Sequence, residues 1–74
     1  MIISTTLEVF ELETQERQKT IFEYFDALSE GESFIIRHDH DPKPLYFQFL
    51  SGKGDGFLWE YLESGPQFWQ VRIG

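Results

Sequence analysis

His38-Asp39-His40-Asp41-Pro42-Lys43-Pro44-Leu45 (HDHDPKPL, residues 38–45) joins a β-branched run to an aromatic one, and its reading decides the fold. Upstream, residues 33–38 (SFIIRH) read as a strand, central by its hydrophobicity. Downstream, Leu45, Tyr46, Phe49 and Leu50 fall on one face of a short helix that should end near Ser51. Asp41 is expected to cap this helix. Pro42 would take its first position, where a missing N–H costs nothing, and Pro44 is tolerable in the same turn.

Working outward, residues 6–12 (TLEVFEL) alternate and predict a first strand with Leu7 and Val9 inward. Thr14 reads as the N-cap of a helix over 14–29, with Ile21, Phe22, Phe25 and Leu28 on one stripe. Gly31 suits the left-handed residue after that helix. Residues 51–56 (SGKGDG) have the composition of a loop, and 57–63 alternate as a third strand. Ser64-Gly65-Pro66 turns the chain into a fourth strand over 67–73, with Trp69, Val71 and Ile73 on one face. The order β-α-β-α-β-β predicts an α/β (α+β) two-layer sandwich with a four-stranded mixed sheet. The first two strands would be parallel through a right-handed crossover, and the last two would form an antiparallel hairpin. Both helices should lie on one face, leaving the other face open.

At 74 residues the chain is a single domain spanning 1–74, near the lower size limit for a self-sufficient core. Eight Phe, three Tyr and two Trp supply that core. Without cysteine there is no disulfide, thiolate zinc site or persulfide carrier. A net charge of −7 with no Lys/Arg cluster argues against nucleic acid and anionic membranes as partners. The opening MIISTTLEVFELE lacks the basic and apolar regions of a signal peptide, and no apolar run approaches a membrane span. A cytoplasmic location is the expectation.

Several stretches together carry a family resemblance: Leu7-Glu8-Val9, Arg17, Ile21-Phe22 through Phe25-Asp26-Ala27-Leu28, and Gly31-Glu32-Ser33. Further on come Asp39-His40-Asp41-Pro42-Lys43-Pro44-Leu45, Trp59-Glu60-Tyr61-Leu62, Gly65-Pro66, Trp69 and Val71-Arg72-Ile73. The chain resembles the bacterial TusA/SirA-like domains of unknown function that often accompany hemerythrin-like modules. That resemblance implies the same β-α-β-α-β-β sandwich. It also brings departures. The wider superfamily carries sulfur on a Cys-Pro-x-Pro cysteine at the first helix, where this chain has Thr14-Gln15-Glu16-Arg17, so persulfide relay is excluded. Closer relatives often have Arg at the Phe10 position, His at the Gln18 position and Asn at the His38 position.

Both histidines of the protein lie in HDHDPKPL, so any imidazole chemistry is located there. Residues two apart on an extended chain point the same way, about 6.5–7 Å apart, which would let His38 and His40 grip a metal, completed by Asp41, by Asp39 or by a Glu from a neighbouring loop. The competing structural account has Asp41 capping, Asp39 in a turn, His40 bonded to backbone and His38 partly exposed at the strand end. Arg17 and Lys43 lie near helix starts that follow parallel strands, where open α/β sheets bind ligands. With Asp39 and His40 they form a candidate site for a small anion or a partner's carboxylate. Phe10 and Phe68 share parity with polar neighbours and suggest an apolar patch for a protein partner on the open sheet face. No nucleophile motif accompanies His40, so its use as a general acid or base ranks last and no enzyme is expected. A non-enzymatic protein-binding or regulatory module ranks first, a metal- or small-anion-binding domain second. No cofactor is expected beyond such a metal ion.

Overall fold

The computed structural model describes residues 5–74. Its elements are β1 (Thr5–Glu8), a 3-10 turn (Val9–Glu11), α1 (Thr14–Asp26), β2 (Phe34–His38), α2 (Lys43–Lys53), β3 (Trp59–Ser64) and β4 (Trp69–Ile73). The sheet order is β1-β2-β4-β3, with β1 parallel to β2 and the other pairs antiparallel. This is the expected two-layer sandwich. β4 rather than β3 sits beside β2 because Val71 and Ile73 are fully buried, opposite Ile36 and Phe34. β3, carrying Glu60 and Glu63, takes the edge, where charge discourages further strand pairing.

Alternate residues of the two central strands, Phe34, Ile36, Val71 and Ile73, pack with Val9, Ile21 of α1 and Phe49 of α2 into one core. Both helices therefore cover the same face. Phe49 is the aromatic centre, with ring centroids 4.7 Å from Phe22, 5.3 Å from Phe25 and 5.2 Å from Phe57. Among the described residues the opposite face carries no second layer and is knitted by side chains instead. Arg37 meets Glu8 at 3.2 Å, Arg72 meets Glu60 at 2.8 Å, and Gln70 donates to Glu63 at 2.9 Å. Each contact joins residues directly opposite in the strand register. Such pairs contribute about 0.2–1 kcal/mol each and let polar residues tile a solvated sheet face. No helix among the described residues is long and apolar enough to cross a membrane.

Several boundaries differ from expectation, each for a local reason. The first strand stops at Glu8 rather than Leu12, because the parallel ladder ends at the Glu8–Arg37 pair. Val9 stays buried, but in a 3-10 turn closed by the Leu12 N–H on the Val9 carbonyl. Thr14 is the first residue of α1, not its cap; Glu13 holds the cap position without a side-chain bond. The helix ends at Asp26. Gly31 does adopt φ +84°, but in a separate turn over Ser29–Glu32. There the Ser29 N–H donates to Glu32 Oε1 at 2.6 Å, and a glycine at the third turn position supplies the positive φ.

Pro42, not Asp41, is the N-cap of α2, and Lys43 begins the helix with Pro44 second. Asp41 instead accepts the Tyr61 hydroxyl at 2.7 Å. The segment read as a loop is partly helical, since α2 continues through Ser51 and Gly52 to Lys53. At Gly52 a Cβ would lie 3.1 Å from the Phe22 ring, which would have to give by a few tenths of an ångström. Lys53 then ties the helix end to Asp26 of α1. β3 and β4 start two residues later than expected, and β3 bulges between Tyr61 and Glu63.

Candidate functional site

β2 delivers His38 on the core face, opposite Trp69 of β4, and the ring expected to be partly exposed at the strand end is only 6% exposed. The chain then bends through Asp39 and His40, buries Pro42 and enters α2. Beside it, β1 ends and the 3-10 turn carries the chain over to α1. Both helices thus start at the C-terminal ends of the parallel strands. Between those starts lies a cleft of about 310 Å³. Val9, Ile21, Pro42, Pro44 and Leu45 form its apolar walls, and Arg17, His38, His40 and Asp41 bring charge and imidazole to it.

The two imidazoles stand closer than an extended chain would hold them, with ring centroids 3.8 Å apart, because the strand ends at His38 and His40 folds back over it. The Asp39 backbone N–H donates to His38 Nδ1 at 2.9 Å, so that nitrogen is an acceptor and the ring proton resides on Nε2. Asp39 Oδ1 also lies 3.0 Å from His38 Nδ1. With Nδ1 already accepting, this approach is no ion pair. The carboxylate is satisfied on its other side, where His40 Nδ1 meets the same oxygen at 2.9 Å and supplies the proton.

Burial, first of all, holds the His38 pKa below its ordinary value of 6.5; the neighbouring His40 and Arg17 push the same way, and the Asp39 carboxylate opposes them. The bond from His40 chiefly lowers the Asp39 carboxyl. Desolvation, then the bond to Asp41, raises the Tyr61 phenol. A histidine with a lowered folded-state pKa binds fewer protons folded than unfolded. Its stability contribution is complete above pH 6.5 and declines as pH falls from there toward the folded-state value. Urea unfolding between pH 7.5 and 5.5 should therefore show stability lost on acidification, by at most about 1.4 kcal/mol per pH unit for one proton. His38→Gln should remove that component. Equal slopes in the two proteins would show that His38 does not supply it.

Arg17, half-buried, donates from Nε to the Leu12 carbonyl at 3.1 Å and enters no ion pair among the described residues. Its guanidinium is thereby fixed in orientation with its outer nitrogens uncommitted. Of the residues singled out from sequence, Arg17, His38, His40 and Asp41 line the cleft together. Asp39 holds His40 from the exposed side. Lys43 is exposed on α2, while its neighbours Pro42 and Pro44 line the cleft. Phe10 and Phe68 meet on the open sheet face, 5.7 Å between ring centroids, and Arg37 stacks 4.1 Å over Phe68.

The trio best placed for a metal ion is His38, Asp39 and His40, whose donor atoms lie within 4.8 Å of one another. Of the two aspartates expected as candidates for that role, Asp39 is in place and Asp41 is held by Tyr61. A metal on His38 Nδ1 would have to displace the Asp39 N–H. Gln15, Gln18 and Gln48 also line the cleft and were not expected there. Their one signal was position: Gln15 and Gln18 flank Arg17 in the first turns of α1, and Gln48 follows Pro44 by one helical turn.

The sheet and cleft define a small two-layer sandwich with a ligand-accessible junction at the ends of its parallel strands. The chain belongs to the family described as uncharacterized conserved protein (DUF2249), whose model matches residues 6–74. No curated protein and no solved structure matches it.

Proposed function

We propose that the domain is a non-enzymatic binding module that takes a small anion into the cleft between the starts of α1 and α2. The observation that carries this is Arg17. In a protein of net charge −7, a guanidinium without an ionic partner among the described residues faces a cleft it shares with a buried, neutral histidine. The Leu12 carbonyl orients this cation in advance, so little side-chain entropy is lost when an anion binds. The first-turn N–H groups of α1, uncapped by any side chain, add partial positive charge at the same place.

The resemblance to TusA/SirA-like domains belongs to this proposal, and the shared β-α-β-α-β-β order supports it. Sulfur relay does not, for want of a cysteine. A protein partner at Phe10 and Phe68 has less support, because Arg37 already covers part of that pair. The test is an NMR titration with acetate and with inorganic phosphate. Shifts should gather at Arg17, His38 and His40, and Arg17→Ala should weaken binding at least tenfold. Shifts elsewhere, or affinity retained by Arg17→Ala, would refute the proposal.

A further inference from the structure

We infer that the occupant of the cleft is a monocarboxylic acid with an apolar body, held by Arg17 and His38 at its carboxylate end. This rests on the anion-binding reading and specifies its ligand. A volume of about 310 Å³ lies at the small end of ligand sites, which run from about 300 to 1,000 Å³, so the molecule is compact.

The charge it carries follows from what surrounds it. Arg17 is the only Lys or Arg side chain lining the cleft, and Asp41 lines it too. A doubly charged phosphate would face one cation and a nearby carboxylate. A carboxylate needs only the one. Arg17 also has the matching shape: with Nε spent on Leu12, its two terminal nitrogens remain as a planar fork, which pairs with the two oxygens of a carboxylate.

His38 supplies a second polar contact, fixed in its direction. Its side chain is 8% exposed and lines the cleft. Nδ1 is taken by the Asp39 N–H, so Nε2–H is a donor, and it has no protein partner among the described residues. The ring is nearly buried but Nε2 itself still meets solvent across the cleft, so a ligand oxygen can take the place of water there. A neutral imidazole donating one hydrogen bond suits a single carboxylate oxygen and adds no second charge.

The apolar body is indicated by the remaining walls. Ile21 and Val9 are 0% and 2% exposed, Pro42 is buried, and Leu45 and Pro44 complete that side. Of these walls it is chiefly Leu45 and Pro44 that still offer apolar surface to water, and an ion with no apolar part would leave that surface wet. The side-chain amides of Gln15, Gln18 and Gln48 can close around a ligand without charge preference.

The experiment is a set of parallel NMR titrations of the intact protein with acetate, benzoate, hexanoate, inorganic phosphate and phenyl phosphate. Benzoate or hexanoate should bind at least tenfold more tightly than acetate, and benzoate at least tenfold more tightly than phenyl phosphate, with shifts at Arg17, His38 and Ile21. Arg17→Lys keeps the charge but loses the fork, and should weaken benzoate about tenfold while leaving inorganic phosphate unchanged. Phenyl phosphate matching or exceeding benzoate would overturn the carboxylate assignment while leaving an anion cleft in place. Acetate equalling both larger acids would overturn the apolar body. If none of the five shifts Arg17 or His38, this inference and the anion reading fall together.

Discussion

Phe49→Ala is expected to cost about 3–5 kcal/mol, a large share of the stability that a domain of this size has. The ring is completely buried and is the one side chain of α2 in the central core cluster. Phe22 and Phe25 of α1 meet it edge-on, at interplanar angles of 61° and 78°, and Phe57 and Trp59 close its other side. Truncation would remove contacts to four aromatic rings at once, and rings fixed on separate elements cannot all move in to fill the space. A domain of this size has little stability in reserve. Urea unfolding followed by tryptophan fluorescence checks this. A midpoint within experimental error of wild type would mean that the aromatic cluster is not the centre of the fold. Phe49→Leu, which refills most of the volume, should recover a large part of the loss.

The second large effect is expected at Gly65, where the β3–β4 hairpin turns. Its φ is +77°, and a Cβ there would come 2.7 Å from Cζ2 of Trp69. Alanine therefore carries two penalties. The left-handed backbone costs roughly 1–2 kcal/mol for a residue with a Cβ. The indole must also shift, and it is half-buried within β4. Trp69 is the register partner of His38, so the disturbance reaches the cleft. Gly65→Ala should lower the urea midpoint and also move the His38 ring resonances. Unchanged His38 resonances in a destabilised variant would show that the turn and the cleft are not linked through Trp69.

The element order was legible because each element announces its own period: alternation in SFIIRH and the last hairpin, a helical stripe from Ile21 to Leu28. What local pattern does not encode is where pairing stops. Residues 6–12 go on alternating past Glu8, and only the end of the ladder opposite Arg37 decides that the strand is over. Asp41 illustrates the same limit within the site. Its sequence context is that of a helix cap, yet the Tyr61 hydroxyl, twenty residues away, claims the carboxylate. Arg17 and His40 were legible because helix starts after parallel strands are where ligands meet such sheets. The glutamines were not, since a neutral amide on a helix surface is the commonest of backgrounds. Nor was the tight packing of the two imidazoles, which depends on a bend rather than on spacing.

The cleft has one more consequence, through its construction from several elements. Its lining comes from the 3-10 turn, α1, the last residue of β2, the bend after it and α2. Unfolding scatters these pieces, so a ligand seated there binds only the folded chain. Mass action then converts occupancy into heat resistance. Saturation at a hundred times the dissociation constant adds about 2.7 kcal/mol. In a chain this short, each kcal/mol moves the melting temperature by about 4–8 °C. A true ligand should therefore raise it by something on the order of 10–20 °C, which makes the intact domain its own reporter in a screen of small organic acids.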